Sequence, residues 1–103
     1  VKLNRRHKKG FINHLIAMQW LTINDYYVFD NVSGLGPCDV IAMDEKGKMI
    51  PIDIKSESLR KTGKYKGYKI NRSPSVLQHN LGIRLLMVKD TGECYFYEQK
   101  RKI

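Results

Sequence analysis

The chain has 103 residues, with 19 Lys plus Arg against 10 Asp plus Glu, a formal charge of +9. That length suits a single domain spanning 1–103, and 42% apolar residues can fill one modest core, which argues against wholesale disorder. With no apolar run near the roughly 20 residues that cross a bilayer, no signal-peptide pattern after the basic N-terminus, and only Cys38 and Cys94 as cysteines, composition excludes membrane, secreted and collagenous classes and points to a reduced cytoplasmic setting.

The first nine residues, with Lys2, Arg5, Arg6, Lys8 and Lys9, read as a basic N-terminal arm. From about Arg6 to Leu21, the apolar residues Phe11, Leu15 and Met18, with Ile12 and Ile16 beside them, recur at three- and four-residue spacing. This predicts an amphipathic helix whose apolar face packs on a core. Asn24-Asp25 ends it, and Tyr26 to Phe29 reads as a short strand. After the loop Ser33-Gly34-Leu35-Gly36-Pro37, two strand-like runs, Asp39 to Asp44 and Met49 to Lys55, flank Glu45-Lys46-Gly47, a hairpin signal with glycine at a left-handed position. A basic loop spans 60–72. Ser73-Pro74 then opens a short helix to about Asn80, with serine as N-cap and proline at the first helical position. Ile83 to Val88 reads as a buried strand, and Asp90-Thr91-Gly92 turns the chain into a last strand, Cys94 to Glu98. The order αβββαββ predicts an α+β fold with one mixed sheet.

The charge is clustered. Beside the N-terminal group, Arg60, Lys61, Lys64, Lys66, Lys69 and Arg72 are interleaved with Tyr65 and Tyr68. Lysine and arginine neutralise phosphates, and tyrosine can stack on a base. A single charge run is ordinarily solvated surface; two clusters bracketing a nearly neutral middle point to nucleic acid. Lys100-Arg101-Lys102 adds a third run at the chain end. Neither basic cluster has the broad apolar face of a membrane-surface helix.

The chemistry-bearing residues concentrate in Pro37-Cys38-Asp39-Val40-Ile41-Ala42 and Ile52-Asp53-Ile54-Lys55. A three-residue loop at 45–47 sets Asp44 opposite Lys48, and counting back along both strands sets Asp39 opposite Asp53. Opposed residues have Cα atoms about 4.5–5.5 Å apart and share a face. Lys55 shares it too, since strand side chains alternate; Val40, Ile52 and Ile54 fall on the other, core face. Two like charges across a ladder destabilise a sheet unless a cation compensates. Mg²⁺ does so with hard oxygen ligands and bridges to phosphate, and the Ile54 carbonyl would add a ligand. Lys55 would orient an attacking water and stabilise charge on the phosphoryl group, so the trio suits metal-assisted phosphodiester hydrolysis. The bland alternative is a salt bridge on a polar sheet edge. The register decides between them, because a one-residue slip moves Asp39 to the other face. Pro51, which lacks a ladder donor, favours an edge or bulge.

Lys9-Gly10 on a helix, then Gly36-Pro37-Cys38-Asp39-Val40-Ile41-Ala42, then Ile52-Asp53-Ile54-Lys55, resemble the PD-(D/E)XK nuclease superfamily from about Lys9 to Glu98. Small phage and archaeal enzymes of the Holliday junction resolvase type are similar in layout. The resemblance implies a restriction-endonuclease-like core, a mixed sheet flanked by helices. It implies Asp39 and Asp53 as ligands of Mg²⁺ or Mn²⁺, Lys55 as catalytic lysine and Gln78 near the active site. It further implies branched DNA as substrate, a homodimer to cut a junction twice, and the host cytoplasm if phage-encoded.

One position departs from the family pattern. Members often carry a glutamate on the first helix, a few residues after its glycine, and here Phe11-Ile12-Asn13-His14 stands instead. Neutral histidine is a competent metal ligand, so His14 or Asn13 could serve in its place, although a packed or surface histidine is the plainer reading. Glu57 is a further source of a carboxylate. The expectation is a metal-dependent DNA endonuclease, structure-specific. The alternatives are a non-catalytic nucleic-acid-binding module on a degenerate nuclease fold and a small RNA-binding domain.

Overall fold

The structure, a computed structural model, describes residues 2–70 and 73–98. Helix α1 spans Arg5–Ile23. The Asn4 side chain starts it by accepting from the Arg6 and His7 N–H groups at 2.9 and 3.3 Å, which satisfies two donors the first turn leaves free. The stretch expected as a basic arm is therefore helical from Arg5 on. At the other end Asp25 adopts φ 68°. Its N–H donates to the Thr22 carbonyl and that of Tyr26 to Leu21, at 3.1 and 3.0 Å, the paired bonds of a Schellman motif.

The helix buries a different face from the one its apolar spacing predicts. Asn13, Ala17 and Leu21 are buried, with Ile16, Met18 and Trp20 packed against the core. Phe11, Ile12 and Leu15 are 65%, 45% and 50% exposed. Apolar residues lie on two sides of this helix, and the side with small Ala17 at its centre can approach a sheet whose own residues supply the bulk.

The strands are β1 (Tyr27–Asp30), β2 (Val40–Met43), β3 (Met49–Ser56), β4 (Arg84–Val88) and β5 (Cys94–Phe96), with helix α2 (Val76–Asn80) between β3 and β4. The element order is the predicted αβββαββ. The five strands lie in the order β1-β2-β3-β4-β5, antiparallel except for the parallel pair β3–β4. A parallel pair needs a crossover, here residues 57–83, which include the basic segment and α2. The β2–β3 turn is as read from sequence: Gly47 has φ 82°, its N–H donates to the Asp44 carbonyl, and the Asp44 N–H donates to the Lys48 carbonyl, each at 3.0 Å. Met43 stands opposite Met49 and Val40 opposite Ile52. Pro51 is accommodated because that bonding parity turns its nitrogen away from β2, while pairing with β4 begins only at Ile52.

Helix α2 is shorter than predicted. Its N-cap is Ser75, not Ser73: Ser75 accepts from the Gln78 N–H while the Gln78 side chain accepts from the Ser75 N–H, each at 3.1 Å. This reciprocal capping box outcompetes a start at Pro74.

Alternation divides the sheet into two working faces. Val40, Ala42, Ile52, Leu86 and Val88 meet Ala17 and Leu21 of α1 in the core cluster. The opposite face carries Asp53 and Lys55 of β3 beside Leu85 and Met87 of β4.

Candidate active site

The β2–β3 register ends at Val40–Ile52, and Asp39 departs from the one-to-one pairing with Asp53 that the loop count predicts: the strand bulges there, which still leaves the two carboxyls in one cleft. The Asp39 N–H donates to the Ile52 carbonyl at 2.8 Å, and Asp39 Oδ2 accepts from the Ile54 N–H at 2.7 Å. Asp39 thus clips the end of β2 to the middle of β3. The Ile54 carbonyl leaves the strand on the same edge as its N–H, past the end of the β2 ladder. Asp53 is buried, 8% exposed. Its Oδ2 accepts from Gln78 Nε2 at 2.8 Å and lies 3.4 Å from Lys55 Nζ. Gln78 Nε2 also reaches the Pro37 carbonyl at 3.4 Å, so one amide ties α2, the β1–β2 loop and β3 together. Asp39, Asp53, Lys55, Gln78, Pro37 and Cys38 line a cleft of about 390 Å³.

Burial raises the Asp39 carboxyl above its ordinary value, and its hydrogen bond with Asp53 raises it further; the Ile54 N–H and, more weakly, the charges of Asp53 and His14 adjust the result, the first and last downward. Two carboxyls brought together in one cleft are the donor set a hard divalent cation relieves. Each has one oxygen, Oδ2, held by N–H donors, which leaves the Oδ1 atoms for each other or for an ion. Mg²⁺ or Mn²⁺ fits this set, because such ions need only one or two carboxylates and keep several waters. Among the described residues no group of three or more His, Cys, Asp or Glu converges.

Two of the sequence-predicted accessories are engaged elsewhere. His14 Nε2 is 2.8 Å from Asp30 Oδ1; Asp30 stands opposite Val40 and so shares the α1 face. Asn13 is buried and donates to Ser56 Oγ. Neither takes the place of the absent helix glutamate at Asp53, because Asp53 lies on the sheet face opposite α1. Glu57 is withdrawn too. It accepts from the Tyr95 hydroxyl and lies 3.4 Å from Lys69, and the Tyr95 bond holds its carboxyl below the usual range. Sequence reasoning missed Asp30 and Tyr95, which carry no local signal. It also missed the S-x-x-Q pattern of Ser75 and Gln78, which is one.

The basic residues fall on two exposed elements. Arg5, Arg6, Lys8 and Lys9 occupy the first turns of α1, with Lys9 3.5 Å from Asp90. Arg60, Lys61, Lys64, Tyr65, Lys66, Tyr68 and Lys69 form a hairpin after β3, bridged at Leu59 and Lys69. Arg72 and the run 100–102 lie outside the described residues. No helix among those residues is long and apolar enough to cross a membrane.

No protein-family model matches the chain, and no curated protein matches it. Among solved structures it is similar to that of a bacterial homing endonuclease, I-Ssp6803I, with a TM-score of 0.67 over 91% of this chain and 69% of that one, at 19% identity. The fold is restriction-endonuclease-like. The α+β class and the mixed five-stranded sheet agree with that assignment, and the carboxylate pair sits on such a scaffold. At 19% identity the likeness concerns the fold, and it does not single out the junction-resolving group.

Proposed function

We propose that this chain is a metal-dependent DNA endonuclease that hydrolyses phosphodiester bonds. The observation that carries this is that Asp39, Asp53 and Lys55 line one cleft, with Lys55 Nζ 3.4 Å from Asp53. Asp39, Asp53 and the Ile54 carbonyl would hold Mg²⁺ or Mn²⁺, which supplies Lewis acidity toward the phosphoryl group when bound. Lys55, with its side chain 45% exposed, offers its ammonium to the phosphate oxygen on which charge builds. Gln78 is a positioning residue that fixes Asp53, and Arg5, Arg6, Lys8, Lys9 and the hairpin cations neutralise flanking phosphates. A branched DNA such as a four-way junction is the proposed substrate, a homodimer the proposed assembly and the cytoplasm the proposed location.

The test is a panel of four-way junction, flap, duplex and single strand, incubated with and without Mg²⁺ or Mn²⁺. Cleavage that needs the ion and disappears in Asp53→Ala and Lys55→Ala, with binding retained, supports the proposal. A second reading, a non-catalytic DNA-binding module on the same fold, is favoured by the lack of a third converging acid among the described residues and by the commitment of His14 to Asp30. It predicts salt-sensitive binding and no cut product with either ion.

A further inference from the structure

The segment expected as a loop is a built hairpin. The Ile70 N–H donates to the Ser58 carbonyl at 2.7 Å, the Arg60 N–H to Tyr68 at 2.8 Å and the Gly67 N–H to Arg60 at 2.8 Å. Leu59 pairs with Lys69 between them. Its tip turns on Gly63 and Gly67, at φ 84° and 87°, with Lys66 N–H bonded to Gly63 and Tyr68 N–H to Tyr65. The Tyr65 and Tyr68 rings meet edge to face, centroids 6.0 Å apart, with Lys64 over Tyr65. Both rings stay more than half exposed.

The base of this hairpin is anchored. Lys69 is 3.4 Å from Glu57 and its ammonium sits 5.2 Å from the centre of the Tyr95 ring, while the Tyr95 hydroxyl donates to Glu57. Glu57 continues β3, two residues past Lys55, and Tyr95 lies on β5. The protruding element is thus fixed to the strand that carries the carboxylates. From 58 to 70 it holds five cations and no carboxylate.

We propose that residues 58–70 are a two-stranded ribbon that enters the major groove of B-form DNA, so that the ligand of this surface is a duplex or a duplex arm of a branched molecule. Two strands about 4.8 Å apart, with their side chains, match a groove about 12 Å wide. The A-form major groove of duplex RNA is too deep and narrow to admit such a ribbon. A site for single strands would instead present separate aromatic platforms, whereas here the two tyrosines pack on each other. The five cations of the ribbon would neutralise groove-edge phosphates. This deepens the endonuclease reading by naming the form of DNA held, and it stands on the hairpin alone.

The experiment is dimethyl sulfate footprinting in EDTA, which reports guanine N7 in the major groove separately from adenine N3 in the minor groove, with anisotropy on duplex DNA, the matching single strand and duplex RNA. The expected result is N7 protection, lost in Lys64→Ala/Lys66→Ala, and duplex DNA bound about tenfold or more tighter than either competitor. Tyr95→Phe, which loosens the anchor without touching DNA, weakens N7 protection. Single strand or duplex RNA bound as tightly as duplex DNA, or complete binding with every N7 reactive, overturns the ribbon. A footprint without cleavage under any ion fails the hydrolase and leaves the ribbon standing; cleavage without a groove footprint does the reverse.

Discussion

Asp39 is the residue on which the proposed chemistry turns, and its carboxyl is held above its ordinary value by burial and by Asp53. The sign follows from linkage. A folded state that binds the proton more tightly than the unfolded chain loses stability as pH rises through the window above the ordinary aspartate value. The penalty is complete once pH exceeds the folded value. Asp39→Asn keeps an oxygen for the Ile54 N–H and removes the charge. The ion-free variant is therefore expected to melt at or above the wild-type temperature at pH 7, with the gap closing toward pH 4. Glu57 titrates with the opposite sign, so the difference between variant and wild type is the quantity to read by scanning calorimetry. Millimolar Mn²⁺ should raise the wild-type melting temperature at pH 7 and leave the variant's unchanged. A variant that melts lower at pH 7 would contradict the raised Asp39 carboxyl. Gln78 gives a second test: partners that orient a ligand typically cost about 10–100-fold in ion affinity or activity when removed. Gln78→Ala should lose that much cleavage and, because it leaves buried Asp53 one donor short and removes half of the capping box, should also lower the melting temperature, by the equivalent of about 1–3 kcal/mol.

At the scale of elements, α1 shows what the sequence conveys and what it does not. Periodicity finds the helix, but the chain places apolar residues on two of its sides, and only the packed structure selects Ala17 and Leu21 over Phe11 and Leu15. Leu21→Ala should destabilise by about 2–5 kcal/mol, whereas Leu15→Ala should stay within about 0.5 kcal/mol; parallel urea melts separate them. The β2–β3 hairpin was legible for the reason α1 was not. Its turn chemistry at Gly47 sets the register, and a period of two then fixes which side chains meet as far as Val40 and Ile52; at Asp39 the ladder bulges, which counting does not foresee. Gln78 was legible as a position but not as a contact, since its bond to Asp53 depends on where the crossover lays α2. The cap that holds it is local. Ser75→Ala should cost about 1 kcal/mol and, because it frees Gln78, should lower cleavage more than its small loss of stability explains.

Across the whole molecule the sheet separates tasks: α1 covers one face and supplies the core, while the opposite face keeps two carboxylates and a lysine in an open cleft. In the proposed function the surplus of positive charge is what draws the polyanion in, and its size can be read from salt dependence. Lys9 is partly committed to Asp90, an exposed pair worth at most about 1 kcal/mol, and Lys69 to the mostly covered Glu57, so Lys69 is left out of the count of phosphate contacts. If Arg5, Lys8, Arg60, Lys61, Lys64 and Lys66 each neutralise a phosphate, the logarithm of duplex affinity should fall against that of salt with a slope of about −5. Anisotropy titrations between 50 and 200 mM NaCl measure it. Removing Lys64 and Lys66 together should reduce the magnitude by about 2, while Asp53→Ala, which removes no cation, should leave the slope alone even as it abolishes cleavage. A wild-type slope near zero would mean that the charge faces solvent and that the cleft is approached by something other than a nucleic-acid backbone.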